Sequence, residues 1–94
     1  MHFPIVALVG KYHDTGIAAP LRAVAQMLRE AGREVLFEKD TAANIGVDEY
    51  PAATVEEIGQ RASLAIVMGG DGTMLGVARQ LAPWDVPVVG INHG

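Results

Sequence analysis

Residues 68–76, Met-Gly-Gly-Asp-Gly-Thr-Met-Leu-Gly, directly follow the apolar run Leu64-Ala65-Ile66-Val67 and lead directly into an amphipathic segment. That order makes the stretch a turn between a buried strand and a helix, and the rest of the chain has to suit such a turn. Gly69, Gly70 and Gly72 let the backbone take φ > 0 and let a ligand approach without meeting a Cβ. Asp71 places one carboxylate among them. Thr73 is expected to cap the helix with its hydroxyl, while the free N–H groups of the first helical turn favour an anion such as a phosphate. A tight connection that uses glycine for geometry alone is the plainer alternative. Three glycines around an acid after an apolar strand favour a phosphate or nucleotide site over it.

The other segments read as strands alternating with helices. Pro4-Ile5-Val6-Ala7-Leu8-Val9 is apolar without alternation and stops at Gly10, the pattern of a strand covered on both faces. A polar loop from Gly10 to Gly16 leads into a helix whose apolar face is Leu21, Val24, Ala25, Leu28 and Ala31, with Pro20 tolerable in its first turn and Gly32 as its stop. Glu34-Val35-Leu36-Phe37-Glu38 is the second strand, and its charged ends suit a sheet edge. Lys39 to Ala53 lacks sustained periodicity and is expected to be a long surface loop. Thr54 and Glu57 form a capping box for a short helix ending near Arg61, with Val55 and Ile58 facing inward. After the glycine turn, Met74, Val77, Ala78 and Leu81 recur at helical spacing until Pro83 and read as plain core. Val86 to Ile91 is the last strand, with Pro87 tolerable near its start.

This pattern predicts an α/β fold, a Rossmann-like parallel sheet with helices on both faces. A strand order of 2-1-3-4 sets the loops after the first and third strands on either side of the topological switch point, so that the glycine turn faces Gly10-Lys11. The 94 residues suit one domain, residues 1–94. The chain stops at Gly94 before any helix follows the fourth strand, and a truncated domain is the expectation.

Composition narrows the partners. A net charge of −4 with only seven scattered Lys and Arg lacks the footprint of a nucleic-acid binder. With no cysteine there is no disulfide, thiolate metal site or thiol nucleophile. No apolar run approaches the ~20 residues that span a bilayer, so no membrane partner and a soluble, cytoplasmic protein are expected.

Several chemistries are excluded. Lys11 is followed by Tyr12 and Ile5 stands at the first glycine position, so there is no G-x-x-x-x-G-K-[ST] phosphate loop. The dinucleotide fingerprint G-x-G-x-x-G fails at Leu75, and the turn follows the third strand rather than the first. His2, His13 and His93 are dispersed without metal-ligand spacing, so no protein-bound metal site is expected. Glu56 and Glu57 read as cap and solvated face rather than a paired-carboxylate hydrolase site.

Gly69-Gly70-Asp71-Gly72-Thr73 resembles the glycine-rich motif shared by NAD kinases, diacylglycerol kinases and phosphofructokinases. Gly90-Ile91-Asn92-His93-Gly94 resembles the start of the NAD kinase stretch in which Gly-Ile-Asn-x-Gly leads into Leu-Gly-Phe, and this favours the bacterial NAD kinases among the three. The amino-terminal half resembles them more loosely. The resemblance implies the amino-terminal α/β nucleotide-binding domain of a kinase that moves the γ-phosphoryl group of ATP, or of polyphosphate, to the 2′-hydroxyl of NAD's adenosine ribose, giving NADP. A β-rich carboxyl-terminal domain completes members of that family and is absent from these residues. By the same resemblance Asp71 is the catalytic residue, accepting the ribose hydroxyl proton, helping to hold Mg²⁺ or another divalent cation, or both. Gly69, Gly70, Gly72 and Thr73 would cradle phosphates, Asn92 would hydrogen-bond the dinucleotide, and Lys11 would steady a phosphate across the switch point. A homo-oligomer is implied for the complete protein, and the 94 residues alone are expected to be inactive. The alternatives are a diacylglycerol-kinase-like or phosphofructokinase-like domain, or a non-catalytic α/β ligand-binding module.

Overall fold

The computed structural model describes residues 3–10 and 15–92. β1 (Ile5–Gly10), β2 (Glu34–Glu38), β3 (Ala52–Ala53), β4 (Leu64–Gly69) and β5 (Val88–Asn92) form one sheet in the order β3-β2-β1-β4-β5. Every neighbouring pair is parallel, with Val6 opposite Val35, Val9 opposite Val67, and Gly69 opposite Asn92. The crossovers contain α1 (Ala18–Glu30), α2 (Lys39–Ile45), α3 (Val55–Arg61) and α4 (Asp71–Leu81).

The unalternated apolar strands are explained by two cores. Successive side chains of a strand point to opposite faces. Val6 and Leu8 join Val35 and Phe37 under Leu21, Ala25, Ala42 and Ile45 of α1 and α2. Ala7 and Val9 join Leu36, Ala65 and Val67 under Ile58, Val77 and Leu81 of α3 and α4. Both faces of β1 are sealed, which is why it carries no polar residue. The expected stop of α1 is present: Gly32, at φ 82°, turns the chain so that the Arg33 N–H reaches the Leu28 carbonyl at 3.0 Å. Ala31 lies at the cap and is exposed rather than on the apolar face. The capping box of α3 is formed, with Thr54 Oγ1 accepting from the Glu57 N–H at 3.1 Å and Glu57 Oε1 accepting from the Thr54 N–H at 2.9 Å. The Thr54 backbone N–H first, and the Thr54 hydroxyl after it, hold the Glu57 carboxyl below its usual range.

Two expectations are corrected. Lys39 to Ala53 is not a long surface loop but contains α2 and β3. The cause is Glu38, whose carboxylate accepts from the Asp40 and Thr41 N–H groups at 2.9 and 3.0 Å and so starts a helix directly at the end of β2. Gly46, at φ 70°, ends that helix, and the Phe37 N–H donates to the Pro51 carbonyl where β3 begins. The four expected strands keep their mutual order, but β3 lies outside β2, so the sequence is β3-β2-β1-β4-β5 and β2 is not an edge. Glu38 is accordingly only 3% exposed, a buried helix cap rather than a charged strand end. Its partner Thr41 is buried with it, donating its hydroxyl to Glu38 Oε1 at 2.7 Å and accepting from the Gly10 N–H at 3.0 Å. Residues from β1, β2 and α2 are thereby tied together at the carboxyl ends of the strands.

Candidate functional site

β4 ends at Gly69, Gly70 stands at the helix cap position, and α4 starts at Asp71. The three glycines do different things. Gly69 has φ 158°, which side chains rarely adopt, and a Cβ there would press to 3.2 Å from both Cβ and Oγ1 of Thr73, so the turn favours glycine. Gly70 is extended, at φ −87° and ψ −179°, and Gly72 is helical. A Cβ on either would meet nothing within 4 Å. Of the three glycines that allow positive φ, Gly69 alone takes it. Thr73 does not cap the helix either. It is the third residue of α4, and the cap position, Gly70, has no side chain to offer a hydrogen bond.

What replaces a side-chain cap is open backbone. The Met74 N–H reaches back to the Gly70 carbonyl at 3.2 Å, while Asp71, Gly72 and Thr73 precede the first residue whose N–H can do so within the helix. Their donors lie where the helix dipole is positive and where two missing side chains leave room for an anion. Glycine inside a helix costs about 0.5–1 kcal/mol relative to alanine. Nothing in the packing around Gly72 requires that cost.

Beside this turn lies a cleft of about 80 Å³ between α4 and the end of β5, lined by Val67, Gly69, Gly70, Asp71, Met74, Gly90, Ile91 and Asn92. The β4–β5 register produces it by setting Asn92 opposite Gly69. Of the predicted site residues, Gly69, Gly70, Asp71 and Asn92 are brought together in the cleft, and Gly72 and Thr73 stand behind them in the first turn of α4. Lys11 lies outside the described residues, although Gly10 pairs with Met68 and so ends β1 beside the turn. Gly10 itself has a packing role, because a Cβ there would collide with Ile17 Cδ1 and lie 2.9 Å from Leu21 Cδ1. Met74, which packs against the second core as expected, and Gly90, which lies in the expected last strand, also line the cleft, a role the sequence reading did not give them. Met74 sits three residues after Asp71 on the same face of α4, and that spacing was the available signal.

Among the described residues, no group of three or more His, Cys, Asp and Glu is placed to hold a metal ion. Asp71 is the single carboxylate among the described residues that line the cleft. A wider groove of about 570 Å³ lies along α1 and is lined by Arg22, Gln26, Arg29, Glu30, Glu49 and Tyr50. Its cations are engaged within the protein. Arg22 pairs with Glu49 at 2.9 Å, which raises the guanidinium's pKa and lowers the Glu49 carboxyl to about 2, and Arg29 lies 5.7 Å from the Tyr50 ring centroid. The smaller cleft is the one that lies where open parallel sheets bind ligands, at the carboxyl ends of the strands beside the switch between β1 and β4.

The family of the chain follows from its similarity to known proteins. The profile of the ATP-NAD kinase N-terminal domain matches residues 6–94. The chain is 69% identical over all 94 residues to an NAD kinase of Bordetella avium and 65% identical to one of Bordetella pertussis. It is 59% identical over 92 residues to an NAD kinase of Paraburkholderia phytofirmans. It spans 31% of the length of each of these relatives. A match over nearly every described residue, including the glycine turn and the end of β5, leaves one assignment: the chain belongs to the ATP-NAD kinase N-terminal domain family.

Proposed function

We propose that these residues form the amino-terminal nucleotide-binding domain of a soluble, cytoplasmic and homo-oligomeric NAD kinase, which phosphorylates the 2′-hydroxyl of NAD's adenosine ribose to give NADP. ATP is the donor in this reading, with polyphosphate as the donor some family members would use. The observation that carries it is the pairing of bare backbone at Gly70 and Gly72 with the carboxylate of Asp71 and the amide of Asn92 across one cleft. Phosphate oxygens accept from the N–H groups at the start of α4, and Asn92 orients the dinucleotide by hydrogen bonds. Asp71 accepts the proton of the 2′-hydroxyl as that oxygen bonds to the γ-phosphorus, while the bond to the bridging oxygen breaks and ADP leaves with its electron pair. Little covalent work is asked of the protein, and positioning and electrostatic stabilisation supply most of the acceleration.

A divalent cation fits this arrangement in part. Magnesium is commonly bound by one or two carboxylates together with substrate phosphates, and Asp71 is the residue here that would hold it. Bound there, it would neutralise charge on the transferring phosphoryl group.

The test uses the full-length protein with ATP, Mg²⁺ and NAD. NADP should form, with phosphorus NMR placing the new phosphate on the 2′ position of the adenosine ribose. No NADP, together with ADP release on adding a diacylglycerol or a sugar phosphate, would assign the domain to one of the other kinases that share the glycine motif.

A further inference from the structure

Three glycines line the cleft, and different things stand over them. Gly70 faces open space and Gly69 faces Thr73, whereas a Cβ on Gly90 would collide with Met74 Sδ and lie 3.3 Å from its Cε and 3.4 Å from its Cγ. The Met74 side chain is therefore seated in the notch that Gly90 leaves on β5. Met74 follows Asp71 by three residues, so the two share a face of α4. Gly90 precedes Asn92 by two, so those two share a face of β5. All four line the cleft. Elsewhere α4 rests on the sheet through Val77 and Leu81, farther along the helix. At its amino-terminal end the Met74 thioether fills the gap between the helix and β5. A methionine is unbranched and adaptable, so it serves as a spacer only where a notch holds it.

We propose that Met74, seated on Gly90, is a positioning residue that sets the separation between Asp71 and Asn92 across the cleft and forms the apolar wall beside the bound nucleotide. The identity of that nucleotide rests on the NAD kinase reading above, but the spacer role does not. A misplacement of about 1 Å in a catalytic group can cost on the order of 10²-fold in rate. The seating of one side chain therefore acts on turnover more than on affinity.

The test is a double-mutant cycle in the full-length protein, with crystal structures of each variant. Gly90→Ala, which expels the thioether, and Met74→Ala, which removes it without any clash, should each lower kcat by at least about tenfold while the Kd for NAD stays within about threefold. Met74→Leu, which keeps the volume, should retain kcat within about threefold. The combined Gly90→Ala, Met74→Ala variant should be no worse than the poorer single variant, because both changes abolish one contact. In the crystals the Asp71–Asn92 separation should change in both alanine variants and not in the leucine variant. An unchanged separation, losses that multiply, or a Met74→Ala enzyme with wild-type kcat would each overturn the spacer. If the wild type made no NADP, the NAD kinase reading would fall, and the crystallographic separation would still decide the role of Met74.

Discussion

Gly72 gives the domain a testable conflict between stability and binding. It lies in the first turn of α4 with negative φ and open space around the missing side chain. Gly72→Ala should therefore raise folding stability by roughly 0.5–1 kcal/mol, the helical penalty of glycine, as read by denaturant unfolding. If phosphate packs against that backbone, calorimetric titration should show weaker nucleotide binding by the same, more stable protein. A loss of stability would mean that the helical geometry at Gly72 is wrong, and unchanged affinity would leave the glycine without a ligand role. The sequence marked these glycines but not their division of labour, because glycine allows positive φ without demanding it. The positive φ of Gly69 and the packing of Thr73 against it separate the turn-forming residue from the two that leave space. At the surface, Glu49 offers a pH signature. Its carboxyl is lowered to about 2 by Arg22, so the pair's contribution is complete above the ordinary carboxylate range and is lost as pH falls toward 2. The difference in Tm between the wild type and Glu49→Gln should be small, because the pair is exposed, and should shrink to nothing between about pH 4.5 and pH 2.

α2 shows where patterning stopped being informative. Its seven residues give too short a window for a 3.6-residue period to be distinguished from a loop, and its cap is a glutamate that also ends a strand. The long elements were legible for the opposite reason: β1, α1 and β4 each carry an unbroken pattern, and α3 announces itself through Thr54 and Glu57. The cap network around α2 is also what ties the end of β1 in place, through Gly10 and Thr41. Thr41→Val keeps the shape and removes the hydroxyl, leaving the buried Gly10 N–H without its acceptor. The expected cost is about 1–3 kcal/mol in chemical denaturation. A change of only a few tenths of a kcal/mol would show that another group takes over the Gly10 N–H, and the network would then not be what holds the end of β1.

For the molecule as a whole, β5 is the informative boundary. Val89 and Ile91 are 49% and 37% exposed, although they belong to a strand paired on one side with the largely buried β4. Apolar residues on an open strand edge favour pairing with another surface. The 94-residue chain alone should therefore associate with itself as its concentration rises in sedimentation experiments, and Val89→Lys should suppress this. The cleft follows the same logic. Asp71 and Asn92 face each other across it from α4 and β5, and the described residues provide no further surface to fix the acceptor ribose over them. This was legible in the Gly-Gly-Asp-Gly-Thr and Gly-Ile-Asn segments, whereas the joining of the two through Met74 and Gly90 depends on a contact between helix and strand that no local pattern encodes. The most direct measurement compares NADP formation by the full-length protein, its Asp71→Asn variant and the 94-residue chain at equal concentration, with NAD affinity measured beside it. The account predicts that Asp71→Asn binds NAD within about threefold of wild type while turnover falls by at least about 10²-fold, and that the chain alone makes no measurable NADP. Near wild-type turnover by Asp71→Asn, or turnover by the chain alone within about tenfold of the full-length protein, would contradict it.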